Sequence, residues 1–361
     1  MVGGPAARQE SDLEALSSEF ESVTAEAPSA RGRARAFLLI RLAASVAMLG
    51  LLISRVDVGA LLPSRQLSTL LWVAAGLGLS MTGVVMSSLR WKKVLEALGR
   101  PAAFGDLVRH CLAGAFVSNF LPSSVGGDVL RAGRLAAGGI SKSAAFASVV
   151  LERLSGFVAL PLITLAAMAV SPDLRHLGAP SALAFFLSVA TLGGLGVILL
   201  AAGSKRVGAR LASESKWTGF AAALHLGINT TSRHPGAALW VLGSAVGYQL
   251  AIVAASWAGA QALGLSLSWS AVMAFVPVVA IAQVLPVSLN GIGLREGAFA
   301  LLLAPLGVST AEAVSFGLLL YGMNLLVSLL GAPAFALGAR SNRRQRPSRL
   351  SRSARQAPVA A

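Results

Sequence analysis

Six stretches of this chain, near residues 36–54, 69–91, 143–170, 179–203, 236–258 and 310–338, run for roughly twenty residues or more in apolar sequence with few charges. About 20 such residues form a helix long enough to cross the ~30 Å hydrocarbon core of a bilayer. The composition agrees. Of the 361 residues 55% are hydrophobic and 12% charged, and the mean hydropathy is +0.72, whereas a soluble globule carries charge on about a quarter of its residues. The expected class is an all-α polytopic membrane protein with about six full transmembrane helices.

The net charge of +15, from 30 Lys and Arg against 15 Asp and Glu, does not point to nucleic acid, because the charges fall between the apolar runs and at the two ends. They read as membrane topology. Arg31, Arg33 and Arg35 precede the first run; Arg90, Lys92, Lys93 and Arg100 follow the second; Lys205, Arg206, Arg210 and Lys216 follow the fourth; an arginine-rich tail follows the last. The alternate connections are poor in base, so both termini are expected in the cytoplasm, with the protein in the cell (inner) membrane.

Three regions follow from this. Residues 1–34 begin with six acids and little apolar periodicity and are expected to be a disordered cytoplasmic tail rather than a secretory signal. Residues 35–338 form the transmembrane domain. Residues 339–361 hold seven arginines counted from Arg340 and no acid, and are expected to be a basic disordered cytoplasmic tail.

Two stretches, 101–142 and 268–309, begin and end on one side each and are interrupted by Pro and Gly. They are read as oppositely oriented re-entrant helical hairpins, giving eight or more apolar segments in all; two short spans apiece also satisfy the charge rule. Their interruptions repeat. Leu121 to Gly133 (LPSSVGGDVLRAG) and Leu285 to Gly297 (LPVSLNGIGLREG) agree at seven of thirteen ungapped positions. The shared Pro, Ser, Gly and Arg are what a broken membrane helix needs: a helix stop, partners for freed backbone groups, a permissive turn and a charged start. Hairpins entering from opposite faces make this an inverted repeat, and paired interruptions of this kind point to a transporter's midplane site.

The run Asn119-Phe120-Leu121-Pro122, with Gly126, Gly127, Asp128 and Arg131, then Glu152-Arg153, then Pro286, Ser288, Asn290, Gly291, Gly293, Arg295 and Glu296, resembles the lysylphosphatidylglycerol synthase transmembrane, or flippase-like, family. That family includes the membrane half of the bacterial multiple peptide resistance factor and many stand-alone proteins. The resemblance covers about residues 35–338 and implies a protein that moves a lipid or lipid-linked headgroup between leaflets. The soluble aminoacyl-transferring domain has no counterpart after residue 338, so lysyl transfer is not expected. Many members also carry an acid soon after the Glu-Arg pair and a base in the last span; here Ser155, Gly156 and Tyr321 stand instead.

Charge in apolar sequence costs on the order of 3 kcal/mol at the bilayer centre and persists when paired, hydrated or used. Asp128, Arg131, Arg134, Glu152, Arg153, Arg295 and Glu296 are such charges. Asp128 and Arg131 meet at i,i+3 if a half-helix starts at the glycines, while Glu152 and Arg153 face different sides and need other partners. Arg131 and Arg295 suit an anionic lipid phosphate, since a guanidinium grips two oxygens at once. The candidate substrate-binding set is Asn119, Pro122, Gly126, Gly127, Asp128, Arg131, Glu152, Arg153, Pro286, Ser288, Asn290, Gly291, Arg295 and Glu296.

The expected ligand is an anionic phospholipid or a polyprenyl-phosphate-linked lipid. The alternatives are structural ion pairing, a membrane enzyme using Asp128 and Glu152 as acid and base, or an accessory subunit of a separate lipid-modifying synthase or glycosyltransferase; a homodimer is compatible with all of them. No catalytic motif, metal-ligand spacing or cofactor loop is recognisable: the histidines are scattered, and Gly291-x-Gly293-x-x-x-Gly297 has the wrong spacing for a dinucleotide. The lone Cys111 reads as a small core residue.

Overall fold

A computed structural model describes residues 66–120, 125–203, 235–284, 288 and 291–336. All secondary structure among them is helical. In chain order the helices are α1 (Leu67–Ala97), α2 (Phe104–Phe120), α3 (Val125–Ala137), α4 (Lys142–Val170), α5 (Ala179–Gly203), α6 (Pro235–Ala262), α7 (Trp269–Ala282), α8 (Leu294–Leu303) and α9 (Thr310–Leu329). Short 3₁₀ turns at Pro172–Arg175 and Ala304–Leu306 precede α5 and α9.

Five helices are long and apolar enough to cross a membrane: α1, α4 from Ala144, α5 to Leu200, α6 from Ala238, and α9. They correspond to five of the six expected spans; the sixth, 36–54, lies outside the described residues, as do both tails. The last span is shorter than expected. It stops at Leu329, a turn follows at Leu330, and helix resumes over 331–336. Gly331, just past the turn, lies so close to the Leu112 backbone of α2 that any side chain there would collide with the Leu112 carbonyl.

Between the spans lie the two expected interruptions, each flanked by a pair of shorter helices, α2–α3 and α7–α8, packed against each other. The breaks differ in detail. Helix resumes at Val125 after the first, so Gly126, Gly127 and Asp128 lie in the opening turn of α3. After the second it resumes only at Leu294, because Gly291 (φ 77°) and Gly293 (φ 82°) adopt left-handed backbone that cannot continue a right-handed helix.

The repeat extends well beyond the thirteen aligned residues. Helices α6, α7, α8 and α9 follow α1, α2, α3 and α4 at start and end offsets of 159–169 residues, bracketing the 164 that separate Leu121 from Leu285. The packing repeats too: α1 touches α2 as α6 touches α7, and α3 touches α4 as α8 touches α9. The two halves meet most extensively along α1 and α6, with Trp72 and Trp257 edge to face at 5.5 Å. Two apolar clusters form, and the larger, centred on the second half, also takes in Ala167 and Met168 of α4. One gathers Trp91, Leu95, Leu107, Leu135 and Val149; the larger gathers Val272, Phe275, Val279, Phe299, Leu302 and Phe316. Cys111 belongs to the first cluster, as expected of a small core residue.

Local chemistry sets several helix starts. Ser141, Ser268 and Ser309 accept hydrogen bonds from the backbone N–H groups of Ala144, Ala271 and Glu312, and so cap α4, α7 and α9. Thr164 Oγ1 donates to the Ala274 carbonyl at 3.0 Å and ties α4 of the first half to α7 of the second.

Candidate functional site

The glycines of the first interruption bring two backbones into contact. A side chain at Gly127 would run into Ser118 Oγ and the Gly114 carbonyl, and one at Gly114 would lie 2.8 Å from Arg131 Cγ and Cδ. The close approach of α2 and α3 thus depends on both glycines and leaves the Arg131 stem lying along Gly114. The Arg131 guanidinium stacks over Trp91 at 4.3 Å from the ring centre. Its Nη1 lies 3.5 Å from Asp128 Oδ1 and 3.3 Å from Glu152 Oε2. The i,i+3 pairing of Asp128 with Arg131 is therefore present.

Glu152 is the hub. Its side chain is 2% exposed, and it accepts from Ser87 Oγ at 2.9 Å, from Arg90 Nη2 and from Arg131 Nη1. Its neighbour Arg153 points elsewhere and grips Asp128 with two bonds, Nε at 2.8 Å and Nη2 at 3.1 Å. The half-exposed Arg153 and the largely buried Asp128 thus form a bidentate pair at the edge of the cluster.

The second half is arranged differently around the matching arginine. Arg295 donates through Nε (3.0 Å) and Nη2 (2.6 Å) to Oε1 of the adjacent Glu296, and stacks over Tyr321 at 5.1 Å. Glu296 is fully buried, and its other oxygen accepts from the Gly293 N–H at 2.7 Å, capping α8. Room for it comes from Gly317, whose added Cβ would stand 3.0 Å from Glu296 Cγ. Tyr321, one of the departures from the family pattern, is thus the ring beneath Arg295.

A single cavity of about 770 Å³ reaches both arginines. Of the expected site residues, Asp128, Arg131, Glu152, Arg153, Ser288 and Arg295 line it. Gly126 is not among the lining residues, nor are Gly127 and Gly291, which pack against Gly114 and Gln283, or Glu296, which caps α8. Asn119 also stands outside the lining, donating to Ser328 Oγ at 2.7 Å and to the Ala115 carbonyl. Pro122, Pro286 and Asn290 lie outside the described residues. Arg134 reaches the other way, donating to the Ala334 and Phe335 carbonyls beyond α9.

Arg90 requires a correction. The sequence reading assigns it to the cytoplasmic flank of the second run, yet its side chain is 4% exposed, paired with Glu152 and stacked over Tyr248 at 5.1 Å. It lines the cavity with Tyr248 and Gln249 of α6. Its signal in the sequence is position: a charge before the end of an apolar run. Four guanidiniums and two carboxylates line the cavity among the described residues, an excess of positive charge. Arg90 Nε and Nη1 and Arg131 Nε and Nη2 are buried with no hydrogen-bond partner among the described residues. Such donors are costly to bury unless something fills them.

No curated protein and no solved structure matches the chain. The family model for the lysylphosphatidylglycerol synthase TM region matches residues 38–331, a stretch that includes every described helix through α9 and both interruptions. With its multi-pass helical membrane domain and that match over most of its length, the chain belongs to the lysylphosphatidylglycerol synthase TM region family.

Proposed function

We propose that the chain carries a lipid with an anionic phosphate headgroup between leaflets, through a midplane site lined by Arg90, Arg131 and Arg295. The observation that carries this reading is one cavity, walled by both repeats and lined by Arg90, Arg131 and Arg295, where four guanidinium nitrogens of the first two are buried with no partner among the described residues. Planar forks of that kind suit phosphate oxygens. The family relation supports a lipid as the cargo.

In this reading α2–α3 and α7–α8 are re-entrant hairpins from opposite faces, both termini are cytoplasmic, and the protein resides in the cell membrane. Rocking of one half against the other opens the cavity to each side in turn while the acyl chains stay in lipid. Asp128 and Glu152 hold the arginines in place and do no chemistry.

The test is leaflet exchange of a labelled anionic phospholipid in vesicles reconstituted with the pure protein. Exchange that is lost in Arg131→Ala and Arg90→Ala, with folded protein retained, supports the site. Full exchange in both variants overturns it. Absence of exchange by the unaltered protein overturns transport and favours an accessory role beside a lipid-modifying synthase or glycosyltransferase.

A further inference from the structure

The cavity also bears on what the headgroup carries besides its phosphate. A protein holds an ammonium group in two main ways, with a free carboxylate or with an open aromatic face. Here both are taken. Glu152 is occupied by Ser87, Arg90 and Arg131, Asp128 by Arg153 and Arg131, and Glu296 by Arg295 and the Gly293 N–H. The faces of Trp91, Tyr248 and Tyr321 each lie beneath a guanidinium, and Phe299 packs against Phe316 at 4.8 Å. Phe157 is the remaining aromatic in the described lining, and phenylalanine is a poorer cation acceptor than tryptophan.

What is left unpaired is neutral and can both donate and accept. The Gln249 amide of α6 is nine-tenths buried and lines the cavity with no hydrogen-bond partner among the described residues. Ser288 Oγ, in the second interruption, is buried and likewise without a partner among them. The Asn324 amide of α9 lines the same space. Amides and hydroxyls of this kind match hydroxyl groups, which donate and accept in turn. They come from the second half, and the Gln249 amide sits beside the Arg90 guanidinium, both within 4 Å of one point over Gly156.

We infer that the preferred headgroup carries a phosphate and uncharged hydroxyls, a polyol or sugar phosphate, and no ammonium. This rests on the transport reading for its physiological meaning, but not for its test. Two lipid sources share this chemistry, a glycerophospholipid with a polyol headgroup and a polyprenyl phosphate sugar.

Native mass spectrometry of the full chain in detergent reads binding without transport. The probes are phosphatidylglycerol, glucosyl polyprenyl phosphate, phosphatidic acid, phosphatidylethanolamine and the lysyl ester of phosphatidylglycerol. At least one hydroxyl-bearing anionic probe should bind about tenfold or more tightly than the two amine-bearing ones, and the tighter of the pair identifies the source. Gln249→Leu should weaken that probe about three- to tenfold, the worth of one neutral hydrogen bond, and leave phosphatidic acid unchanged. Gln249→Glu supplies the missing carboxylate and should shift preference toward phosphatidylethanolamine.

Amine-bearing lipids that bind as well as hydroxyl-bearing ones overturn the inference, as does a preference indifferent to both Gln249 variants. Selective binding without leaflet exchange sinks the transport reading alone. Exchange that tolerates amines sinks the headgroup inference alone.

Discussion

Arg131 Nη1 lies 3.3 Å from Glu152 Oε2, so the helix that follows the first interruption is fastened to α4 by charge buried inside the protein. Arg90 of α1 takes the other oxygen of the same carboxylate. Glu152→Ala leaves two buried guanidiniums with their shared partner gone. Breaking a buried pair of this kind costs about 3–5 kcal/mol. The thermal midpoint of the detergent-solubilised variant should fall steeply, and Glu152→Gln, which keeps a hydrogen-bond acceptor, should fall less.

Two glycines of one helix should answer oppositely to the same change. Gly127→Ala drives a methyl into Ser118 and the Gly114 backbone, and overpacking of that order costs about 1–3 kcal/mol. Gly133→Ala meets open space and replaces a poor helix former, for a gain of up to about 1 kcal/mol. Thermal melts of the two variants side by side check this.

Arg90→Ala should lower the amount of co-purifying anionic lipid about ten- to hundredfold, the range for losing charge-assisted hydrogen bonds. Arg90→Lys should recover little of it, because an ammonium lacks the planar fork. A reporter fused after residue 361 should keep its side of the membrane in both variants, since Lys92, Lys93 and Arg100 remain at that flank. Lipid quantification and reporter accessibility separate binding from orientation.

Ser309 begins α9 with a reciprocal cap: its Oγ accepts from the Glu312 N–H while Glu312 Oε2 accepts from the Ser309 N–H at 2.8 Å. Ser309→Ala should cost about 1 kcal/mol, and Ser309→Asp should restore most of it. The site lies away from the cavity, so lipid binding per folded molecule should not change.

The long helices were legible in the sequence because twenty apolar residues have few alternatives in a bilayer, and the paired interruptions because Pro, Gly and Arg recur at matched places. The extent of the repeat was not. Seven identities mark thirteen residues, whereas the correspondence of α1 with α6 and α4 with α9 lies in helix positions and packing that apolar sequence hardly encodes. The site was read in part. Arg131, Asp128 and Glu152 stood out as charges in apolar sequence, and Arg90 did not, because Lys92 and Lys93 beside it make the whole group resemble a topological flank. Arg295 and Glu296 were visible as charges, but their mutual pairing depends on Gly317, a contact between residues twenty-one apart.

The two halves share a backbone plan but not a chemistry. At the 164-residue offset, Arg90, Asp128, Glu152 and Arg153 correspond to Ala254, Ile292, Phe316 and Gly317, and only Arg131 keeps its counterpart. A carrier built this way would load cargo at unequal speed from its two entrances. Without an energy source, however, microscopic reversibility forbids unequal loading from setting the resting ratio between leaflets. The lopsided wall would govern how fast equilibrium is reached, while synthesis and consumption on either side would decide which way the traffic runs.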